Sequence, residues 1–129
     1  MDYVLRSRLG GFEPNADVFV DEEGRHVVAV VEVAGADADS LRVGVEDRHL
    51  IVTGRRPVTL GSRRGSFAQK EIADGDFAKR IQLPVPVEYD GIAASYDDGV
   101  LVIVLPIATT AYRATARTEL HILVKRTRP

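Results

Sequence analysis

The side chains that most often carry chemistry occur in this chain, but never in a working arrangement. Its three histidines, His26, His49 and His121, lie far apart, and none has a spacing such as H-E-x-x-H that would set two ligands on one helix face. Asp37-Ala38-Asp39 opens like a calcium loop, yet Arg42 stands where glycine must turn and Arg48 where a bidentate glutamate must sit. No serine occupies a G-x-S-x-G elbow, and Gly61-Ser62-Arg63-Arg64-Gly65 lacks the G-K-[ST] ending that cradles phosphate. Carboxylates cluster at Asp21-Glu22-Glu23 and Asp97-Asp98, in stretches that read as turns, where solvation accounts for them without an acid/base pair. Cysteine is absent, which removes disulfides, thiolate metal sites and cysteine nucleophiles. The expectation is a protein that is not an enzyme and uses no metal or cofactor.

What remains is binding, and the overall composition narrows it. A chain of 129 residues fits one domain with a core of its own, and 45% hydrophobic with 28% charged residues is an ordinary globular balance. Seventeen basic residues against nineteen acidic leave a formal charge of -2, so neither nucleic acid nor anionic lipid is expected as a partner. The longest apolar runs are too short for a helical membrane span, and Met1 to Gly10 has arginines but no continuous apolar stretch. No secretory signal is read there, and a cytoplasmic protein is expected.

Strands are the elements that must position any binding surface. In Leu41-Arg42-Val43-Gly44-Val45-Glu46 the apolar residues fall on every second position, the period of a half-buried strand. Arg25 to Val33 is valine-rich on both sides, which predicts a strand covered on both faces. Val18 to Val20, Leu50 to Arg55, Phe67 to Ile72, Phe77 to Leu83, Ile92 to Tyr96 and Val100 to Leu105 complete eight candidates. Asp98-Gly99 supplies the two positive-φ positions of a tight hairpin, and Asp47-Arg48 is the only break between two runs that pair as neighbours. Pro84 and Pro86 stop the strand before them. With no convincing amphipathic helix, the pattern predicts an all-β, immunoglobulin-like antiparallel sandwich. Thr109 to Thr118 contains alanines but no apolar stripe, and reads as a flexible arm.

Two segments depart from the strand rhythm. Pro57 to Asp76 is long for a connection unless it has a task. After Pro106 the chain turns basic, yet Leu120, Ile122 and Val124 alternate onto one side in a tail with no core of its own.

Ala94-Ser95-Tyr96-Asp97-Asp98-Gly99-Val100-Leu101, running on to Pro106, resembles the A-x-x-x-[ND]-G-V-L signature of the small heat-shock protein (alpha-crystallin) family. Its residues Ala94, Asp98, Gly99, Val100 and Leu101 form the signature hairpin. Phe77 to Pro84 is similar to the family's F-x-R-x-x-x-L-P strand, and Glu32-Val33-Ala34-Gly35 with Leu41 to Val45 resembles its early strands. The resemblance covers roughly residues 16 to 106, in family order. It implies a short N-terminal arm over residues 1 to 15, an alpha-crystallin domain over 16 to 106 and a C-terminal extension over 107 to 129. Two departures stand out. Lys79 takes the place of the family's arginine, a dimer-contact position where lysine cannot make a planar two-pronged pairing. The first arm is shorter than usual, with only Tyr3, Val4, Leu5, Leu9 and Phe12 to offer apolar contact.

The function implied is an ATP-independent holdase that binds partly unfolded clients and itself assembles as a dimer and higher oligomers. A non-chaperone assembly module on the same sandwich, gas-vesicle-associated or a co-chaperone adaptor, is the alternative. Residues Phe67, Ala68, Gln69, Lys70, Glu71 and Ile72 are implied to form a strand exchanged onto the partner's Val18, Phe19 and Val20 edge. The tail triplet is implied to dock into a groove of another dimer along Val43 and Val45 and along Ile92 and Ala94, Ile122 and Val124 being about 6.6 Å apart on one side of an extended chain. Folding back of the triplet onto its own subunit stays open, as does the competing register Leu120-x-Ile122.

Overall fold

A computed structural model of the chain describes residues 11–109 and the backbone of the strand Val124–Arg126. Eight strands occur in the described residues: β1 (Asn15–Asp21), β2 (His26–Glu32), β3 (Arg42–Glu46), β4 (His49–Arg56), β5 (Gly75–Gln82), β6 (Ala93–Asp97), β7 (Val100–Pro106) and β8 (Val124–Arg126). They form a five-stranded sheet in the order β1-β2-β7-β6-β8 and a three-stranded sheet in the order β3-β4-β5. All neighbours are antiparallel except β6 and β8.

Alternation explains which residues fill the space between the sheets. Val27, Ala29 and Val31 of β2 are buried, and so are Leu101, Ile103 and Leu105 of β7, which lies beside it. Val43, Val45, Leu50, Val52, Phe77 and Ile81 supply the other sheet's share of the same cluster. Val28 and Val30, on the opposite side of β2, are only half-buried, so the cover expected on both faces is complete on one. The reason is topological: the three-stranded sheet packs against a single face.

The tight turns follow from their residues. Asp97 pairs with Val100, leaving Asp98 and Gly99 as a two-residue connection with φ of 54° and 79°. A β-carbon on Gly99 would lie 2.9 Å from Ala34 Cβ, so both the positive φ and the closeness of the turn after β2 call for glycine. Glu46 pairs with His49 in the same way, but here Asp47 and Arg48 hold φ of 54° and 82° without a glycine. Arg48 is kept in place by Leu83, whose N–H donates to the Arg48 carbonyl at 2.8 Å.

One sequence expectation changes, and another lies mostly outside the described residues. Phe67–Ile72 is not a strand; its residues are exposed along the connection from β4 to β5. A strand is defined by a ladder, and no described segment of the chain lies alongside this one. The triplet's last member, Val124, sits in β8, whereas Leu120 and Ile122 and all but the first residue of the Thr109–Thr118 arm lie outside the described residues.

Candidate interaction surfaces

β1 and β8 are the two edges of the larger sheet. Among the described residues β1 has a ladder on one side only, to β2, from Asn15 opposite Glu32 to Asp21 opposite His26. Its Phe19 is 64% exposed and Val18 is 40% exposed. The other large exposed hydrophobics among the described residues are Val58, Leu60, Phe67 and Ile72, the last 74% exposed, and all four belong to the connection of residues 57–74. Apolar surface is thus concentrated on one free edge and one loop. In the loop, the Lys70 ammonium pairs with Asp74 at 2.6 Å and lies over the Phe67 ring, while the Gln69 amide donates to the Glu71 carboxylate at 2.6 Å. Lys70, Glu71 and Asp74 are thus engaged within the loop, while its apolar side chains face water.

The residues named for the docking groove, Val43, Val45, Ile92 and Ala94, all belong to the buried cluster and are at most 9% exposed. On the outer edge of β6 the chain's own tail forms a parallel ladder, with Val124 opposite Ala94 and Arg126 opposite Tyr96. Lys79 pairs at 3.2 Å with Glu13 of the same chain.

Sequence reasoning missed two anchoring side chains. The Tyr96 hydroxyl is buried, donates to the Val33 carbonyl at 2.8 Å and accepts from the Ala36 N–H at 3.2 Å. Its partners are some 60 positions away, and a strand tyrosine carries no local mark of such a bond. Arg56 is the second, and its partners are likewise remote. Asp37 finds a structural role as the cap of the short 3-10 turn Ala38–Ser40, its carboxylate accepting from the Asp39 N–H at 3.1 Å. His49 Nδ1 lies 3.1 Å from Arg80 Nη2. Arginine only donates, so this hydrogen bond requires Nδ1 to be the accepting nitrogen, which favours the neutral imidazole. Burial lowers the His49 pKa below its ordinary value, and the Arg80 charge lowers it further against the opposing pull of Asp47 and Glu46. Among the described residues no three histidine, aspartate or glutamate side chains gather as a metal site, and no helix is long and apolar enough to cross a membrane.

Two sheets, antiparallel but for the β6–β8 pair, with the Asp98-Gly99 hairpin at the rim and a long connection between β4 and β5, define an alpha-crystallin-type sandwich. Residues 18–124 match the model of the Hsp20/alpha crystallin family, and the chain belongs to that family. A probable 15 kDa heat shock protein of Leptospira interrogans is 28% identical over 101 residues, which are 78% of this chain and 75% of that one. Four other curated relatives are longer, and the match spans 56 to 63% of their length. Among solved structures, HspA of Xanthomonas axonopodis superposes with a TM-score of 0.67 at 27% identity, covering 78% of this chain and 98% of that one. A small heat-shock protein of Xylella fastidiosa, described as having a distinct high order structure, gives 0.60 at 32% identity, covering 75% and 89%. The family is one of small heat shock chaperones rather than enzymes.

Proposed function

We propose that this chain is an ATP-independent holdase of the cytoplasm that binds partly unfolded proteins and keeps them from aggregating. The observation that carries this reading is the distribution of exposed apolar surface: among the described residues, every large exposed hydrophobic lies on β1 or on residues 57–74. A partly unfolded client exposes strand edges and apolar side chains, and a binder that covers them withdraws the species that would self-associate. Mass action suffices, and no turnover is needed.

The same surface supports a dimer by strand exchange. Residues Phe67–Ile72 extend along the free edge of the partner's β1, where Val18–Val20 offer unpaired backbone groups and exposed side chains. A segment without a ladder in its own subunit gains one in the other, which is why it forms no strand within the single chain. Lys79 contributes to that contact while paired with Glu13. Tails then link dimers, Ile122 and Val124 entering a neighbour's groove beside β3 and β6 in exchange for the subunit's own β8.

Light scattering of a heat-labile client tests the holdase directly. Scattering should fall with rising amounts of this protein and no nucleotide present; an unchanged scattering trace overturns the reading. The tail is tested with Ile122→Ala combined with Val124→Ala, by size-exclusion chromatography with light scattering. Collapse of larger oligomers to dimers is expected, and a mass equal to that of the unmodified chain contradicts docking.

A further inference from the structure

Arg56 closes β4, opposite Gly75 at the start of β5, and so stands where residues 57–74 leave and rejoin the sheet. The ladder already joins the ends of that connection. The Arg56 side chain does more. Its Nε and Nη2 donate to the Ala73 carbonyl at 3.0 and 2.7 Å, and its Nη1 donates to the Ala34 carbonyl at 3.2 Å. Its guanidinium carbon lies 4.4 Å from the centre of the Phe12 ring. Phe12 in turn bridges β5 through its backbone, donating to the Asp76 carbonyl at 3.1 Å and accepting from the Ala78 N–H at 3.3 Å, and its ring meets that of Phe77 at 5.4 Å. One planar group therefore touches the loop's return, the turn after β2 and the segment before β1.

The chemistry of these contacts argues for positioning rather than stability. The carbonyls of Ala73 and Ala34 are in exposed hydrogen bonds, so water replaces a lost donor at small cost. Direction is another matter. Gly75 holds a φ of 94° with open space where a β-carbon would be, so the chain swings there for conformational reasons alone. The fork on Ala73 fixes the angle at which the loop leaves that swing, and only a planar guanidinium can hold two N–H groups on that carbonyl while lying over the Phe12 ring.

We propose that Arg56 is the positioning residue of this connection: it orients residues 57–74 and transmits to them, through the Phe12 ring, whether the segment before β1 is seated on β5. Coupling of this kind is reciprocal, so loosening either end loosens the other. Its effect on dimer affinity rests on the strand-exchange reading above, whereas its effect on the loop within one subunit does not.

The test uses the full chain carrying a spin label at Ala68→Cys, an exposed position in a chain without cysteine, together with Phe12→Leu, Phe12→Tyr, Arg56→Lys or the double change Phe12→Leu with Arg56→Lys, read by label mobility in dilute monomer, by peptide-resolved amide exchange and by sedimentation equilibrium. Phe12→Leu should shorten the rotational correlation time of the label about two-fold or more, while Phe12→Tyr, which keeps the ring, leaves it at the parent value. Arg56→Lys should free the label likewise, speed exchange of the bonded Phe12 and Ala78 amides and weaken the dimer about five-fold or more, and the double change should add nothing further at the label. Exchange over β7 should be unchanged throughout, separating this effect from global unfolding. A Phe12→Leu effect confined to exchange over residues 11–14 and 76–78, with the label unmoved, overturns the proposal. Should deletion of Ser66 to Ile72 leave the dimer intact while Phe12→Leu still frees the label in the undeleted chain, strand exchange falls and the Arg56 linkage stands.

Discussion

β6 is joined to β7 by two residues, and β4 to β5 by residues 57–74, although both connections do the same geometric job of reversing the chain between antiparallel neighbours. The short one is committed to the fold. Asp98 and Gly99 take the two positive φ values, Gly99 packs against Ala34, and its carbonyl accepts from the Val33 N–H at 2.9 Å. The long one contributes nothing to the core; it carries four exposed apolar side chains, and its ionic contacts are made within itself. Where a two-residue turn suffices, the extra chain exposes Phe67 and Ile72 to water, and that exposed apolar surface is what the strand-exchange proposal uses.

The sharpest way to break this contrast is one substitution in each connection. Gly99→Val places a branched side chain at φ 79° and within 3.0 Å of Ala34 Cα. The φ penalty alone is about 1 to 3 kcal/mol, and the clash adds to it. A large fall in thermal midpoint, with loss of client protection, is expected. Phe67→Ser, at an exposed position, should leave folding stability within about 0.5 kcal/mol. Equal effects from the two substitutions would erase the distinction.

Next in size is Tyr96→Phe, on the strand that enters the short turn. Removing the hydroxyl leaves the Val33 carbonyl and the Ala36 N–H without their buried partner, at a cost of about 1 to 3 kcal/mol. Chemical denaturation measures it, and an unchanged midpoint would show that water takes over both groups.

The smallest expected effect comes from the other two-residue turn, beside His49. The folded-state pKa of His49 is lowered, so the unfolded chain binds the proton more readily and protonation works against the fold. The contribution is therefore full above the unfolded value near 6.5 and is lost as pH falls from there through the lower folded value. Stability followed over that window should decline slightly more in the parent chain than in His49→Gln; parallel curves would contradict the assignment.

The strands were legible because their signal is local. Alternation at Val27, Ala29 and Val31, and at Leu101, Ile103 and Leu105, names the inner face directly, and Asp98-Gly99 names its own turn. Bounds shifted by up to three residues: β1 starts at Asn15 rather than Val18, and β5 at Gly75 rather than Phe77 because Arg55 and Arg56 keep pairing across to Asp76 and Gly75. Side-chain anchors were not legible, since Tyr96 and Arg56 act on backbone carbonyls that only the fold brings near. Phe67–Ile72 has strand-forming residues only at its ends, Phe67 and Ile72, and within one subunit the segment has no neighbour and stays unladdered. Only the family resemblance makes Lys79 a substitute for an arginine; its partner Glu13, far back in the chain, carries no sequence signal.

Strand exchange through the long connection is the central claim, and sedimentation velocity on a chain lacking Ser66 to Ile72 tests it most directly. The deletion removes no residue of either sheet or of the buried cluster, so the circular dichroism of the sandwich should be retained. The account predicts a folded monomer where the intact chain is dimeric or larger. A folded dimer of the deleted chain, with the same dissociation constant as the intact protein, would contradict it.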